Sequence, residues 1–176
     1  MQLTFTIRSI SDPFVITDVR GPLYEVKTVP DTAERLSLRA TGGGELAAIV
    51  RDAESGGFEI LIDGARAVLV RTRGMIRKQY LIDKAGGTLS LLGNVYSGTY
   101  SLTTGADVAG PPQVVVMRNR VGAGEDFRVT VADSEDPVPL TAVVLGIEYL
   151  NDDRRAAIGE LAAARVLLRM LHPLGN

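Results

Sequence analysis

The sequence has no cysteine, no tryptophan and a single histidine, His172. Without cysteine there is no disulfide framework, no thiolate metal site and no thiol nucleophile. One histidine cannot build a histidine-rich metal site. A Ser-His-Asp triad would have to draw on His172, four residues from the last, a poor place to fix an imidazole. Charge of one sign is also missing: 19 basic side chains face 21 acidic ones, for a net charge of -2. That balance excludes a whole-chain attraction to nucleic acid. No apolar run reaches the roughly 18 residues of a membrane-spanning helix. The longest candidate, Pro139 to Ile147, is about half that length. The opening MQLTFTIRSI lacks the basic and continuously apolar regions of a secretory signal, so a cytoplasmic location is expected, with peripheral contact at a membrane.

What is present describes a folded chain. Hydrophobic residues make up 45% of 176 residues, and mean hydropathy is +0.14. That length suits one domain with a sizeable core. Up to Asp133 the pattern is one of strands and turns. Leu3, Phe5 and Ile7 alternate with Thr4, Thr6 and Arg8, the period-2 signature of a half-buried strand. Phe58, Ile60 and Ile62 repeat it and run into Asp63-Gly64, a two-residue hairpin signal that places Ala67 to Arg73 on the returning strand. Tyr96, Gly98, Tyr100 and Leu102 predict another strand, and Val114 to Met117 and Phe127 to Val131 two more. Turn signals about every 8–15 residues, with roughly ten to twelve short strands, predict an antiparallel barrel or sandwich.

The pattern changes at Asp136. Pro137 and Pro139 suit a first helical turn, with Asp136 as its cap. The segment that follows is apolar on every side up to Ile147, and such a helix must be buried on every side. It is too short for lipid, so protein must enclose it. The expected architecture is a barrel of about twelve antiparallel strands closed around a helix at about 137–151. A second helix is expected beyond it. Arg154, Arg165, Arg169 and His172 share one face of this segment. Leu167, Met170, Leu171 and two alanines lie opposite, with Glu160 the one charge among them. Residues 1–153 would form the barrel and 154–176 an accessory basic amphipathic helix and tail.

The ordered elements resemble the tubby-like C-terminal superfamily and, within it, the LURP-one-related family. The series runs from the Leu3–Ser9 strand through Phe14-Val15-Ile16-Thr17-Asp18 and Leu23-Tyr24-Glu25-Val26. It continues with Leu36-Ser37-Leu38, Glu45 to Ile49 and Phe58 to Gly64, then Phe127-Arg128-Val129 and an acidic lead-in to an apolar helix that stops at Asn151-Asp152-Asp153. The resemblance implies a twelve-stranded barrel threaded by its C-terminal helix and no enzymatic activity. Relatives bind phosphoinositides through basic surface residues or are phospholipid scramblases. The chain departs from the scramblases in having no cysteine-rich stretch and no extended proline-rich N-terminal segment. Its helix after Asp153 also lies outside the shared pattern.

Two basic segments stand out as candidate sites. Arg71, Arg73, Arg77 and Lys78, with Arg66 and Lys84 nearby, form the densest one. Guanidinium forks on one strand face suit a phosphate headgroup, whereas the same charges on a solvated strand discourage edge pairing. The segment carrying Arg154, Arg165, Leu167, Arg169, Met170 and Leu171 suits either a membrane interface or close packing against protein. Asp133, Glu135 and Asp136 lack the glycine and terminal glutamate of an EF-hand, and carboxylates ahead of a helix meet its dipole without a metal. Gly122-Ala123-Gly124 lacks the third glycine and the helix of a dinucleotide loop, and no GxxxxGK[ST] sequence exists. The expectation is a non-catalytic module, without cofactor, metal or nucleic acid, that binds anionic membrane lipid. The alternative is a protein-interaction or self-assembly scaffold, a homo-oligomer included, that uses the C-terminal helix.

Overall fold

A computed structural model describes residues 1–7, 13–29, 35–52, 56–73, 79–105, 111–121 and 124–149, the side chains of Arg73, Arg120 and Val121 excepted. The first strand shows the alternation of the wall most clearly. In β1 (Gln2–Ile7), Leu3, Phe5 and Ile7 are buried while Gln2, Thr4 and Thr6 face outward. The other strands are β2 (Phe14–Asp18), β3 (Gly21–Thr28), β4 (Arg35–Ala40), β5 (Glu45–Asp52) and β6 (Gly57–Ile62), then β7 (Ala65–Arg73), β8 (Gln79–Lys84), β9 (Gly87–Asn94), β10 (Thr99–Thr104), β11 (Val114–Val121) and β12 (Gly124–Val131). Each pairs antiparallel with its neighbours in sequence, and β1 also pairs with β12, so the sheet closes into a twelve-stranded up-and-down barrel. Closure removes the exposed strand edges that an open sheet would have to protect.

The hairpin between β6 and β7 turns at Asp63 and Gly64, with φ of 51° and 76°, the two positive values a type I′ turn requires. One predicted strand starts later than its alternation suggests. Tyr96 and Gly98 belong to a turn, not to β10, which opens at Thr99. The Asn94 side chain accepts the Tyr96 N–H at 2.8 Å and its carbonyl accepts the Ser97 N–H at 3.1 Å, which bends the chain away from the ladder.

The helix α1 (residues 137–149) fills the lumen. Asp136 caps it by accepting the Val138 N–H at 3.0 Å, and Pro137 occupies the first helical position, where no amide donor is needed. Leu140, Ala142, Val143, Val144, Leu145 and Ile147 are each exposed by 1% or less. Gly146 lies against the Phe58 ring: a Cβ there would fall 2.3 Å from Cε2. The absence of a side chain at 146 is therefore what lets the helix and β6 approach so closely. Leu150, Asn151 and the segment 154–176, with Arg154, Arg165, Leu167, Arg169, Met170, Leu171 and His172, lie outside the described residues.

Candidate functional site

Among the described residues of the β7–β8 basic segment, the cations do not converge on one point. Arg71 lies outward and is paired with Asp83, and hydrogen bonds from Arg71 and Thr88 hold that carboxyl below its usual range. Arg66 donates to Glu59 at 2.9 Å. Lys84 stands opposite the buried Val68, on the inner face of the sheet, and its ammonium meets Glu135 at 2.7 Å. The period-2 rule thus sends Lys84 and Arg71 to opposite faces of the wall. Arg66, Arg71 and Lys84 each keep a separate carboxylate partner. The Arg73 side chain, Arg77 and Lys78 lie outside the described residues.

The three carboxylates ahead of α1 have three separate partners. Asp133 accepts from the Met1 ammonium at 2.8 Å, and that hydrogen bond and charge lower its pKa. Glu135 holds Lys84, and Asp136 caps the helix. Among the described residues no three acidic or histidine side chains are grouped so that they could hold a metal ion.

At the other end of α1 lies a buried polar cluster. Glu148 receives the Tyr100 hydroxyl at 3.0 Å and an Arg118 N–H at 3.1 Å. The Arg118 side chain, 4% exposed, also donates to the carbonyls of Val95 at 2.5 Å and Tyr96 at 3.0 Å. Its guanidinium sits 5.9 Å from the centre of the Phe127 ring. Burial pushes the phenol pKa values of Tyr80 and Tyr100 up, and the Glu148 carboxylate adds to both shifts. Phenols held protonated in this way are poor general bases at neutral pH.

The outer wall carries a different arrangement, at the seam between β1 and β2. These strands are in register at Thr4↔Thr17 alone, whereas β1 and β12 pair from Gln2↔Thr130 to Ile7↔Glu125. The register between β2 and β3 also shifts between Ile16 and Thr17. Beside this short ladder a half-open depression of about 420 Å³ forms on the outer face. The strand registers order its lining into two rows. Thr17, Thr4 and Arg128 lie side by side and lead to Met117 of β11. Thr6, Asp126 and Asn119 make the second row. The Thr4 and Thr17 hydroxyls are 2.9 Å apart, and Thr6 donates to Asp126 at 2.6 Å. Arg128 and Asn119 are exposed, and their side chains make no hydrogen bond or ion pair among the described residues. Val15 on β2 and Met117 on β11, 44% and 47% exposed, give this face its apolar flanks.

None of these lining residues stands out as a site in the linear sequence. Alternation on β1 and β12 does assign Thr4, Thr6, Asp126 and Arg128 to the outside. What brings them together is the pairing of the first strand with the last, for which no local motif exists.

The fold and this surface define a closed antiparallel β-barrel filled by its own helix, with a polar depression on the outer wall. No protein-family model matches the chain, and no curated protein matches it. Among solved structures, the chain is similar to an Arabidopsis thaliana protein determined by X-ray crystallography, at 18% identity and a TM-score of 0.62. The match covers 85% of this chain and 91% of the other. A likeness at that identity is one of fold. Among the described residues no helix is long and apolar enough to cross a membrane.

Proposed function

We propose that this chain is a non-catalytic binding module of the tubby-like, LURP-one-related kind, which recognises a ligand bearing an anionic group on the outer wall of its barrel. An anionic membrane lipid is one source of such a group. The reading rests on one observation: Arg128 is exposed inside the seam depression and unpaired among the described residues, whereas Arg66, Arg71 and Lys84 are each held by a carboxylate. An uncompensated guanidinium offers a bidentate grip on a phosphate or carboxylate, while a paired one must first give up its partner. The lumen is occupied by α1, whose residues 140–148 are all buried, and this supports a site on the outside. A scaffold role for the segment 154–176 rests on residues outside those described.

Co-sedimentation with vesicles containing phosphatidylserine at low salt tests the proposal. Arg128→Glu is expected to weaken binding at least tenfold, and the double variant Arg66→Glu, Arg71→Glu less than threefold. The reverse order would overturn it and return the site to β7 and β8.

A further inference from the structure

We infer that the seam depression takes a small zwitterion, with its anionic group on Arg128 and its ammonium on Asp126. The inference rests on the outer-wall reading above and adds the ligand's second charge. Arg128 and Asp126 are alternate residues of β12, so both project to the same side of the wall, into the same depression. Each stands opposite a threonine of β1, Arg128 across from Thr4 and Asp126 across from Thr6. Asp126 makes no ion pair with Arg128 but lies in the same depression, so it leaves the guanidinium free to grip one anionic group and disfavours further negative charge beside it. A ligand with one charge of each sign meets both residues and leaves neither unpaired.

The spacing points to the size. Two residues along a strand put the Cα atoms of Asp126 and Arg128 roughly 6.6–6.8 Å apart. An extended dipeptide spans roughly 7 Å from ammonium to carboxylate, and the ethanolamine phosphate group of a lipid is somewhat shorter. The volume of about 420 Å³ lies at the lower end for small-molecule sites. Other groups can serve the middle of such a ligand. The Asn119 amide has both donor and acceptor capacity unused among the described residues, and the Val15 side chain offers an apolar flank. Asp126 keeps acceptor capacity beyond the hydrogen bond from Thr6.

The test is an amide chemical-shift titration of the whole chain with three soluble probes. These are glycylglycine, N-acetylglycylglycine, which lacks the ammonium, and glycinamide, which lacks the carboxylate. Glycylglycine is expected to shift resonances of β1 and β12 and to bind at least tenfold more tightly than either blocked probe. Arg128→Gln should abolish the response. Asp126→Asn, which preserves an acceptor for Thr6, should bring glycylglycine down to the level of its acetylated form. Each variant's own spectrum reports whether the barrel is intact. Glycerophosphoethanolamine separates the sources: tighter binding than glycylglycine at the same resonances assigns a lipid headgroup, and weaker binding a free amino-acid-like zwitterion. Equal affinity for glycylglycine and its acetylated form, lost in Arg128→Gln, would overturn the zwitterion and leave the outer-wall anion site standing. No response at β1 and β12 to any probe would overturn the zwitterion. If phosphatidylserine vesicles also bound through Arg66 and Arg71, the outer-wall reading would fall with it.

Discussion

Two ion pairs fasten the two ends of the same helix, and they differ in how much water reaches them. Lys84–Glu135 lies ahead of α1 with side chains 19% and 20% exposed, and among the described residues Lys84 ties only to Glu135. Arg118–Glu148 lies near the other end, with side chains 4% and 5% exposed. There Tyr100 donates a second hydrogen bond to Glu148, and two backbone carbonyls accept from Arg118. The first pair is a latch whose loss water can partly repair. The second is dry: without Arg118, Glu148 loses its cation where water cannot replace it, and without Glu148, Arg118 falls back on the longer Glu125 contact. A barrel threaded by its own helix thus depends on its ends unequally.

The middle of the helix, between the two pairs, is expected to show the largest effect. Gly146→Asp would drive a carboxylate into the Phe58 ring with no partner, and should cost upwards of about 5 kcal/mol or prevent folding. Gly146→Ala is the more telling variant. On an exposed helix that change stabilises by about 1 kcal/mol. Here three ring atoms lie within 2.7 Å of the added Cβ, so a loss of about 1–3 kcal/mol is expected in urea unfolding. A gain would show that the helix is not enclosed as described.

Next come the two ends. Glu148→Ala leaves Arg118 with the Glu125 carboxylate at 3.5 Å as its remaining charge partner among the described residues, and should cost about 3–5 kcal/mol. Lys84→Ala should cost about 1–2 kcal/mol, because Glu135 can reach water. Equal losses in denaturant midpoint would erase the distinction between latch and dry pair. A double variant, Arg118→Met with Glu148→Leu, should recover most of the Glu148→Ala loss, since well-packed apolar replacements avoid the stranded charge.

Much of this asymmetry is invisible in the sequence, although the frame around it is legible. Leu3, Phe5 and Ile7 announce an inner face, Asp63-Gly64 a hairpin, and Asp136-Pro137 a helix start, because each is a local device. The all-round burial of 140–147 also follows from composition alone. Tyr96 misleads because its alternation continues through a turn held by the Asn94 side chain. The basic segment at 66–84 is only partly legible, for another reason. Sequence shows Arg71 and Lys84 but not the Asp83 and Glu135 placed beside them, nor that the two cations face opposite sides of the wall. The seam depression depends on the short β1–β2 ladder beside the β1–β12 closure, a property of the whole barrel that no window of sequence contains.

Alkaline pH probes the dry end with a smaller expected effect. Burial holds Tyr80 protonated in the fold, whereas in the unfolded chain its phenol titrates near about 10. A raised folded pKa means that this contribution is fully present below about pH 10 and is lost as pH climbs toward the folded value. Urea midpoints measured between about pH 8 and 11.5 should therefore fall above about 10, and Tyr80→Phe should shallow that fall. Parallel curves for the two proteins would show that the phenol titrates freely.

The smallest effect is expected at Thr141, and it carries its own information about the lumen. Its hydroxyl is fully buried on α1 and has no hydrogen-bond partner among the described residues. A threonine on a helix can turn its hydroxyl back to the carbonyl four residues earlier, but Thr141 does not. Thr141→Val keeps the branched shape and removes a polar atom that the fold leaves unsatisfied. The expected change in unfolding free energy is therefore zero to a gain of about 1 kcal/mol, the opposite sign from most substitutions in a packed core. A loss above about 1 kcal/mol would mean that the hydroxyl is bonded in solution, to a water or to a shifted strand carbonyl. The barrel would then hold a polar contact at the middle of its helix as well as at its ends.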